Sequence, residues 1–334
     1  MKKLLNLLSI FTVLVLVLTA CGGDAPEVTD TSTQAVTNES DAQLQVVVTM
    51  FSQYDFANEV GGQHVNVSRL VPPGVDIHSF EPTPQDIIAI NEADLFIYTG
   101  AEMEPWVHRI LESLDRDDLT ILDVSQGVSM LEWYGTNNPD EDHSHTHSDD
   151  HHNHDDDHGH THDYDPHIWT SPLNAMVMVR NIEAQLIALM PEQTAFFTQH
   201  ANELMAELEA LDDDFRELMA DTTRTIIYHA GRFALHYLMH EYGIDVVSAP
   251  LESEPDTALV ARMITEMKED DIPVIFHEEL VNPQTAHMIA AETGAEALLL
   301  HTIHNVSADE IAAGQTYVSF MRHNLEVLRR ALNE

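Results

Sequence analysis

The sequence predicts an α/β protein of two lobes with mostly parallel sheets joined by a long helix, and three observations predict it. Short apolar runs alternate with helix-period runs from residue 44 onward. The alternation lapses and resumes near residue 222. The stretch before that restart carries one apolar stripe down about thirty residues.

In the first half, "LQVVVTM" precedes "QYDFANEV", "HVNVSRLVP" precedes "PTPQDIIAINEA", and "DLFIYTG" precedes "AEMEPWVHRILESL" and then "LTILDVS". Each pair reads as a strand followed by a helix. "SPLNAMVMVRNIEAQLIALM" reads as a helix with Ser171 as N-cap and Pro172 in its first turn. Pro191 then opens a longer helical pattern in which Leu204, Leu208, Leu211, Phe215 and Leu218 recur at helical spacing. At ~1.5 Å per residue such a helix reaches about 45 Å, enough to link two lobes. "TRTIIYHA", "DVVSAPL", "PVIFHEE" and "EALLLHTI" supply the second set of strands, each followed by a helical run.

The N-terminal stretch has a different character. Residues 1–20 combine two lysines, an apolar run and small residues before Cys21, the layout of a signal peptide, and residues 21–43 read as a polar tether. Cys21 is the only cysteine, so an internal disulfide and a thiolate zinc site are both excluded, and any metal must be held by His, Asp or Glu. The expected organisation is completed by an N-terminal lobe over 44–170 that includes a histidine-rich loop at 140–165, helices over 171–221, and a C-terminal lobe over 222–334. A formal net charge of −43 disfavours nucleic acid and anionic substrates and favours cations.

Ligands of open α/β sheets bind beyond the carboxyl ends of the strands, and histidines occupy several such places. His78 lies in "VPPGVDIHSFEPTPQD", His167 in "DYDPHIWTSP", His229 ends "TIIYHA" and His301 ends "ALLLH". One histidine at a strand end is ordinarily a satisfied polar group. Four of them, two from each lobe, would form a nitrogen-rich tetrahedral site suited to Zn²⁺ more than to Mn²⁺. His304 competes for the fourth position, and Glu278 and Glu279 are oxygen-donor alternatives. His236 and His240 share a helix face but lack the glutamate of an H-E-x-x-H site, and read as structural. His143, His145, His147, His151, His152, His154, His158, His160 and His162 crowd a segment without apolar residues, expected to be a solvated accessory loop that collects zinc.

"DIHSFEPTPQD", "DPHIWTSP", "YHAGRFALHYLMHEYGI" and "TYVSFMRHNLEVL", with the histidine-rich insert just before "DPHIW", together resemble the zinc- and manganese-binding receptors of bacterial ABC importers, the cluster A-I (cluster 9) solute-binding proteins. "LTAC" similarly resembles the lipobox of bacterial lipoproteins, implying acylation of Cys21 and anchoring at the membrane. The family resemblance implies two Rossmann-like lobes on a rigid backbone helix with metal in the interlobe cleft. It also implies delivery of zinc to a membrane permease powered by a separate ATPase, since no G-x-x-x-x-G-K-[ST] occurs here. His78, His167 and His229 match family ligand positions. At the fourth, where many members carry aspartate, this chain has "LLLHTIHN" and His301 is the expected ligand.

The expected function is an extracytoplasmic, monomeric zinc receptor and not an enzyme. A manganese receptor and a surface adhesin remain alternatives, and a zinc hydrolase is a weaker one for want of a general base other than Glu278 or Glu279. Release is expected to shift the loops near His167 and His229 without a wide domain swing, which scattering curves with and without zinc would test. Because imidazoles must be neutral to bind, zinc affinity is expected to fall as pH drops through ~6.5, as titrations between pH 8 and pH 5 would show.

Overall fold

The structure is a computed structural model that describes residues 43–132, 164–248 and 257–333, apart from 101, 115, 117 and 305. The expected signal segment, Cys21, the expected tether and the nine histidines from His143 to His162 lie outside the described residues.

The first half runs β1 (Leu44–Val48), α1 (Phe51–Gly61), β2 (Val65–Arg69), α2 (Pro84–Glu92), β3 (Leu95–Tyr98), α3 (Val107–Leu111) and β4 (Thr120–Asp123). Two helices follow, α4 (Pro172–Leu189) and α5 (Thr194–Asp221). The second half runs β5 (Ile226–His229), α6 (His236–Tyr242), β6 (Asp245–Ser248), α7 (Thr257–Glu269), β7 (Val274–His277), α8 (Gln284–Thr293), β8 (Glu296–Leu299), α9 (Ala308–Ala312) and α10 (Tyr317–Asn333). The sheets have the orders β2-β1-β3-β4 and β6-β5-β7-β8, with every pairing parallel. All eight strands fall inside the runs expected from the sequence. Parallel strands covered on both faces read as unbroken apolar runs, and β3, buried along its whole length, is the plainest case.

Ser171 caps α4 by accepting from the Asn174 N–H, with Pro172 in the first turn, as expected. The long helix begins later than expected: Pro191–Gln193 form a 3₁₀ turn and α5 starts at Thr194. Its buried stripe comprises Phe197, Ala201, Leu204, Leu208, Leu211, Phe215 and Leu218. It packs against α1 and α4 from the first half and α6 and α10 from the second, so one stripe serves both lobes. Truncating a fully buried member such as Leu208 to alanine would cost roughly 2–5 kcal/mol.

The helix expected across "AEMEPWVHRILESL" shrinks to Val107–Leu111 because Glu104 folds back. Its carboxylate is fully buried and accepts hydrogen bonds from the Thr99 and Gly100 N–H groups and the Thr49 hydroxyl, closing the ends of β1 and β3. Burial raises the carboxyl to about 7, against the lowering effect of these donors.

The C-terminal helix returns to the first half. Asp55 Oδ2 on α1 accepts from the Tyr317 N–H at the start of α10 at 2.8 Å, and the rings of Phe56 and Tyr317 meet edge to face. Burial raises the Asp55 carboxyl to about 7, with Glu59 and Glu207 adding to the rise and the Tyr317 N–H opposing it. A carboxyl whose folded pKa lies above its unfolded value of about 3.9 stabilises the fold most below pH 4. That contribution is lost as pH rises toward 7. Asp55→Asn should therefore gain stability relative to the parent between pH 5 and pH 8, by up to about 3 kcal/mol in paired denaturant titrations. An unchanged difference at the two pH values would contradict the assignment.

Candidate metal centre

Three histidines meet between the two sheets. His78 sits in a 3₁₀ turn, Ile77–Ser79, beyond β2. Asp76 caps this turn by accepting from the His78 N–H at 3.0 Å, and Ile77 is buried beneath it. The histidine-rich segment leaves at Glu132 and returns at Tyr164, and those two residues form an antiparallel bridge. Asp165 then donates its N–H to Leu131 O, and its Oδ1 accepts from the His167 backbone N–H at 2.8 Å and from the ring Nδ1 at 2.7 Å. A carboxylate can only accept, so the ring proton is on Nδ1 and the Nε2 lone pair of His167 faces the cleft.

His304 arrives on the turn after β8. Ile303 adopts φ 60°, a left-handed conformation that costs a β-branched residue roughly 1–3 kcal/mol, and it is fully buried. This turn places Thr302 Oγ1 2.7 Å from His304 Nδ1. His78 Nε2 lies 3.3 Å from His304 Nε2 and 3.3 Å from His167 Nε2, and the three ligand nitrogens all fall within 4.8 Å of one another. Two nitrogens on a tetrahedral zinc at 2.0–2.1 Å stand about 3.3 Å apart, so two of the three separations already match. His304 is held well below the ordinary histidine range, first by burial and then by the neighbouring His167 and His78.

His301, the expected fourth ligand, is elsewhere. Its Nδ1 accepts from the Ile303 N–H at 3.0 Å, which puts the ring proton on Nε2, 3.6 Å from Glu310 Oε1. The ring packs on Phe320, and Asn324 holds both the N–H and the carbonyl of the residue. The left-handed turn at Ile303 points His301 into the core and delivers its competitor His304 to the cleft.

His229 ends β5, and its Nδ1 lies 3.3 Å from Gly231 O. A carbonyl only accepts, so Nε2 again carries the lone pair. That atom is buried without a partner, and it lies outside the three-histidine group. Burial, assisted by His277, lowers His229 to about 4. Proton competition at His229 and His304 therefore moves to more acid pH than the ~6.5 expected from sequence. Gly231 has φ 153°, and a Cβ there would sit 3.4 Å from His229 Cε1 and 3.7 Å from Glu278 Oε1.

Glu278 is also outside the group. It lines the adjoining pocket with Asp76, Arg232, Thr302 and His304, and burial raises its carboxyl to about 7 although Arg232 pulls the other way. Arg232 stands 3.6 Å from Asp76, across the cleft. His236 and His240 lie on α6, and neither joins the group. Sequence reasoning passed over Asp165, Thr302 and Trp169. An acidic residue two places before a candidate ligand, as in "DPH", is a signal that could have found the first. Trp169 Nε1 donates to Thr302 O at 3.0 Å, a contact with no local pattern.

Fold and site together define a two-lobed α/β binding protein with an imidazole cluster between its sheets. The family model described as "ZnuA: Zinc-uptake complex component A periplasmic" matches residues 46–331, and the chain belongs to that family. The high-affinity zinc uptake system protein ZnuA of Bacillus subtilis is 31% identical over 322 residues, covering 95% of this chain and 94% of its own. Zinc-binding lipoprotein AdcA of Streptococcus pneumoniae is 28% identical over 89% of this chain, which spans only 57% of AdcA. Among solved structures, the metal-dependent lipoprotein YcdH of Bacillus subtilis superposes with a TM-score of 0.73 at 29% identity, covering 87% of this chain and 99% of YcdH. The laminin-binding protein of Streptococcus agalactiae, described as an adhesin with metal-transporting activity, gives a TM-score of 0.68 at 26% identity over 87% of this chain and 100% of its own.

Proposed function

We propose that this chain is the extracytoplasmic receptor that captures Zn²⁺ and hands it to the permease of an ABC importer driven by a separate ATPase. The observation that carries this reading is the pair of 3.3 Å separations between inward-facing imidazole nitrogens drawn from both lobes. His78, His167 and His304 hold the ion, and His229 supplies the fourth nitrogen by a local shift of its loop, its Nε2 being deprotonated and otherwise unpartnered. Four protein ligands would close the tetrahedron and leave no position for a reactive water, which favours carriage over hydrolysis. An all-imidazole set favours zinc over manganese.

α5 braces both lobes, so capture is a matter of loops more than of domain rotation. Cys21 carries the lipid that keeps the monomeric receptor at the membrane, and the histidines from His143 to His162, the last of them five residues before His167 in the sequence, raise the local zinc concentration. Among the described residues no helix is long and apolar enough to cross a membrane.

Competition titrations against a chromophoric chelator test the ligand set. His304→Ala should weaken the tight site on the order of 100-fold or more, the share of one ligand in a site worth some 10–16 kcal/mol. His301→Asn, which keeps an acceptor for the Ile303 N–H, should stay within about threefold of the parent. The opposite pattern would put His301 in the place of His304. Deleting residues 140–163 should lower the number of zinc ions bound and leave one tight site; loss of that site would refute the separate collecting role.

A further inference from the structure

The three clustered histidines differ in how their outer nitrogens are held. Asp165 takes the His167 proton directly, whereas His304 Nδ1 faces a hydroxyl, which can donate or accept. What settles the hydroxyl is Glu279. Its Oε2 accepts from the Thr302 N–H at 2.8 Å and its Oε1 lies 2.6 Å from Thr302 Oγ1. The carboxylate takes the only hydroxyl proton, so Thr302 Oγ1 has lone pairs alone to offer His304, and the ring proton must sit on Nδ1.

We infer that Glu279 is a positioning residue for zinc: acting through the Thr302 hydroxyl, it selects the His304 tautomer whose Nε2 lone pair faces the cleft. Glu279 touches no zinc in this arrangement, which rests on the reading of His304 as a ligand given above. The chain of groups is held at every link. Thr302 is fixed at its N–H by Glu279, at its carbonyl by Trp169 and at its hydroxyl by both neighbours, and the Glu279 side chain is only 9% exposed. The left-handed turn at Ile303 is what brings Thr302 Oγ1 and His304 Nδ1 face to face.

Replacing the carboxylate by an amide reverses the polarity of the relay. The amide oxygen must take the Thr302 N–H, because turning its NH₂ that way would set donor against donor and leave a buried N–H unmet. The NH₂ then donates to Thr302 Oγ1, the hydroxyl proton turns to His304 Nδ1, and the ring keeps its proton on Nε2, where zinc must bind. Glu279→Gln should weaken zinc binding by about 10–100-fold, the range for outer partners of metal-bound histidines. Thr302→Val should do likewise, and Thr302→Ser should stay within about threefold of the parent.

The decisive readout is ¹⁵N NMR of the histidine rings in the metal-free full chain, with His304 identified by its loss in His304→Gln. The parent should show a protonated Nδ1 and a bare Nε2, and Glu279→Gln the reverse, a change that a merely structural role for Glu279 would not produce. A parent His304 with its proton on Nε2, or Glu279→Gln and Thr302→Val variants that bind zinc as the parent does, would overturn the inference. Should Glu279→Gln fail to fold, the parent tautomer and the Thr302→Ser and Thr302→Val pair decide it. Failure of the ligand reading is distinguishable, because His304→Ala would then bind zinc normally whatever the tautomers are.

Discussion

The candidate metal centre depends on one buried indole. Trp169 is fully buried, its Nε1 donates to Thr302 O, and its own carbonyl accepts from the Tyr317 hydroxyl at 2.7 Å. Its ring lies 5.5 Å from that of His167 and 5.3 Å from that of His304. The residue two places after His167 is thus tied to the residue two places before His304, and the tie crosses from one half of the chain to the other. A buried indole N–H needs an acceptor, and here the acceptor is the backbone that carries His304. Close nitrogens from separate lobes would otherwise be left to the looser packing of helices.

Around that contact the fold supplies rigidity in proportion to proximity. The His167 loop is clamped by Tyr237, whose hydroxyl donates to Asp165 O and accepts from the Leu131 N–H. The His304 loop is clamped by Asn324 on α10 through His301. His78, by contrast, is exposed on a short turn fixed by Asp76, itself paired with Arg232 of the other lobe. Two histidines of the cluster are therefore preset and the third stands at the solvent side. Such an order suits a receptor that must admit an ion and later release it.

The fold was legible because parallel strands and an amphipathic helix write their burial into residue type. β3 and the stripe of α5 could be read position by position. The site was legible to the extent that it used chain geometry: His78 follows β2, where α/β ligands gather, and His167 sits in the loop that leads into α4. It ceased to be legible where hydrogen positions decided the chemistry. His301 and His304 are three residues apart in the same turn, and only the left-handed Ile303, an uncommon state for a β-branched residue, tells which enters the cleft. The short span of α3 was hidden for a similar reason, since nothing local announces that Glu104 will fold back onto β1 and β3.

Charge and coordination then divide the work between distance and contact. A formal charge of −43 attracts any cation, and over a screening length of about 8 Å it cannot distinguish zinc from its competitors. Carboxylates at the centre would extend that indifference, since oxygen donors accept calcium, magnesium and manganese. The innermost groups are instead imidazoles stripped of charge: burial keeps His229 and His304 neutral, so no proton need be displaced from them near neutral pH. The carboxylate of Asp165 stands directly behind the His167 ring and that of Glu279 behind His304 through the Thr302 hydroxyl, each fixing which nitrogen is bare without offering oxygen to the ion. Attraction is thus left to the acidic surface, while selection falls to neutral nitrogen, oriented by acids that do not touch the metal.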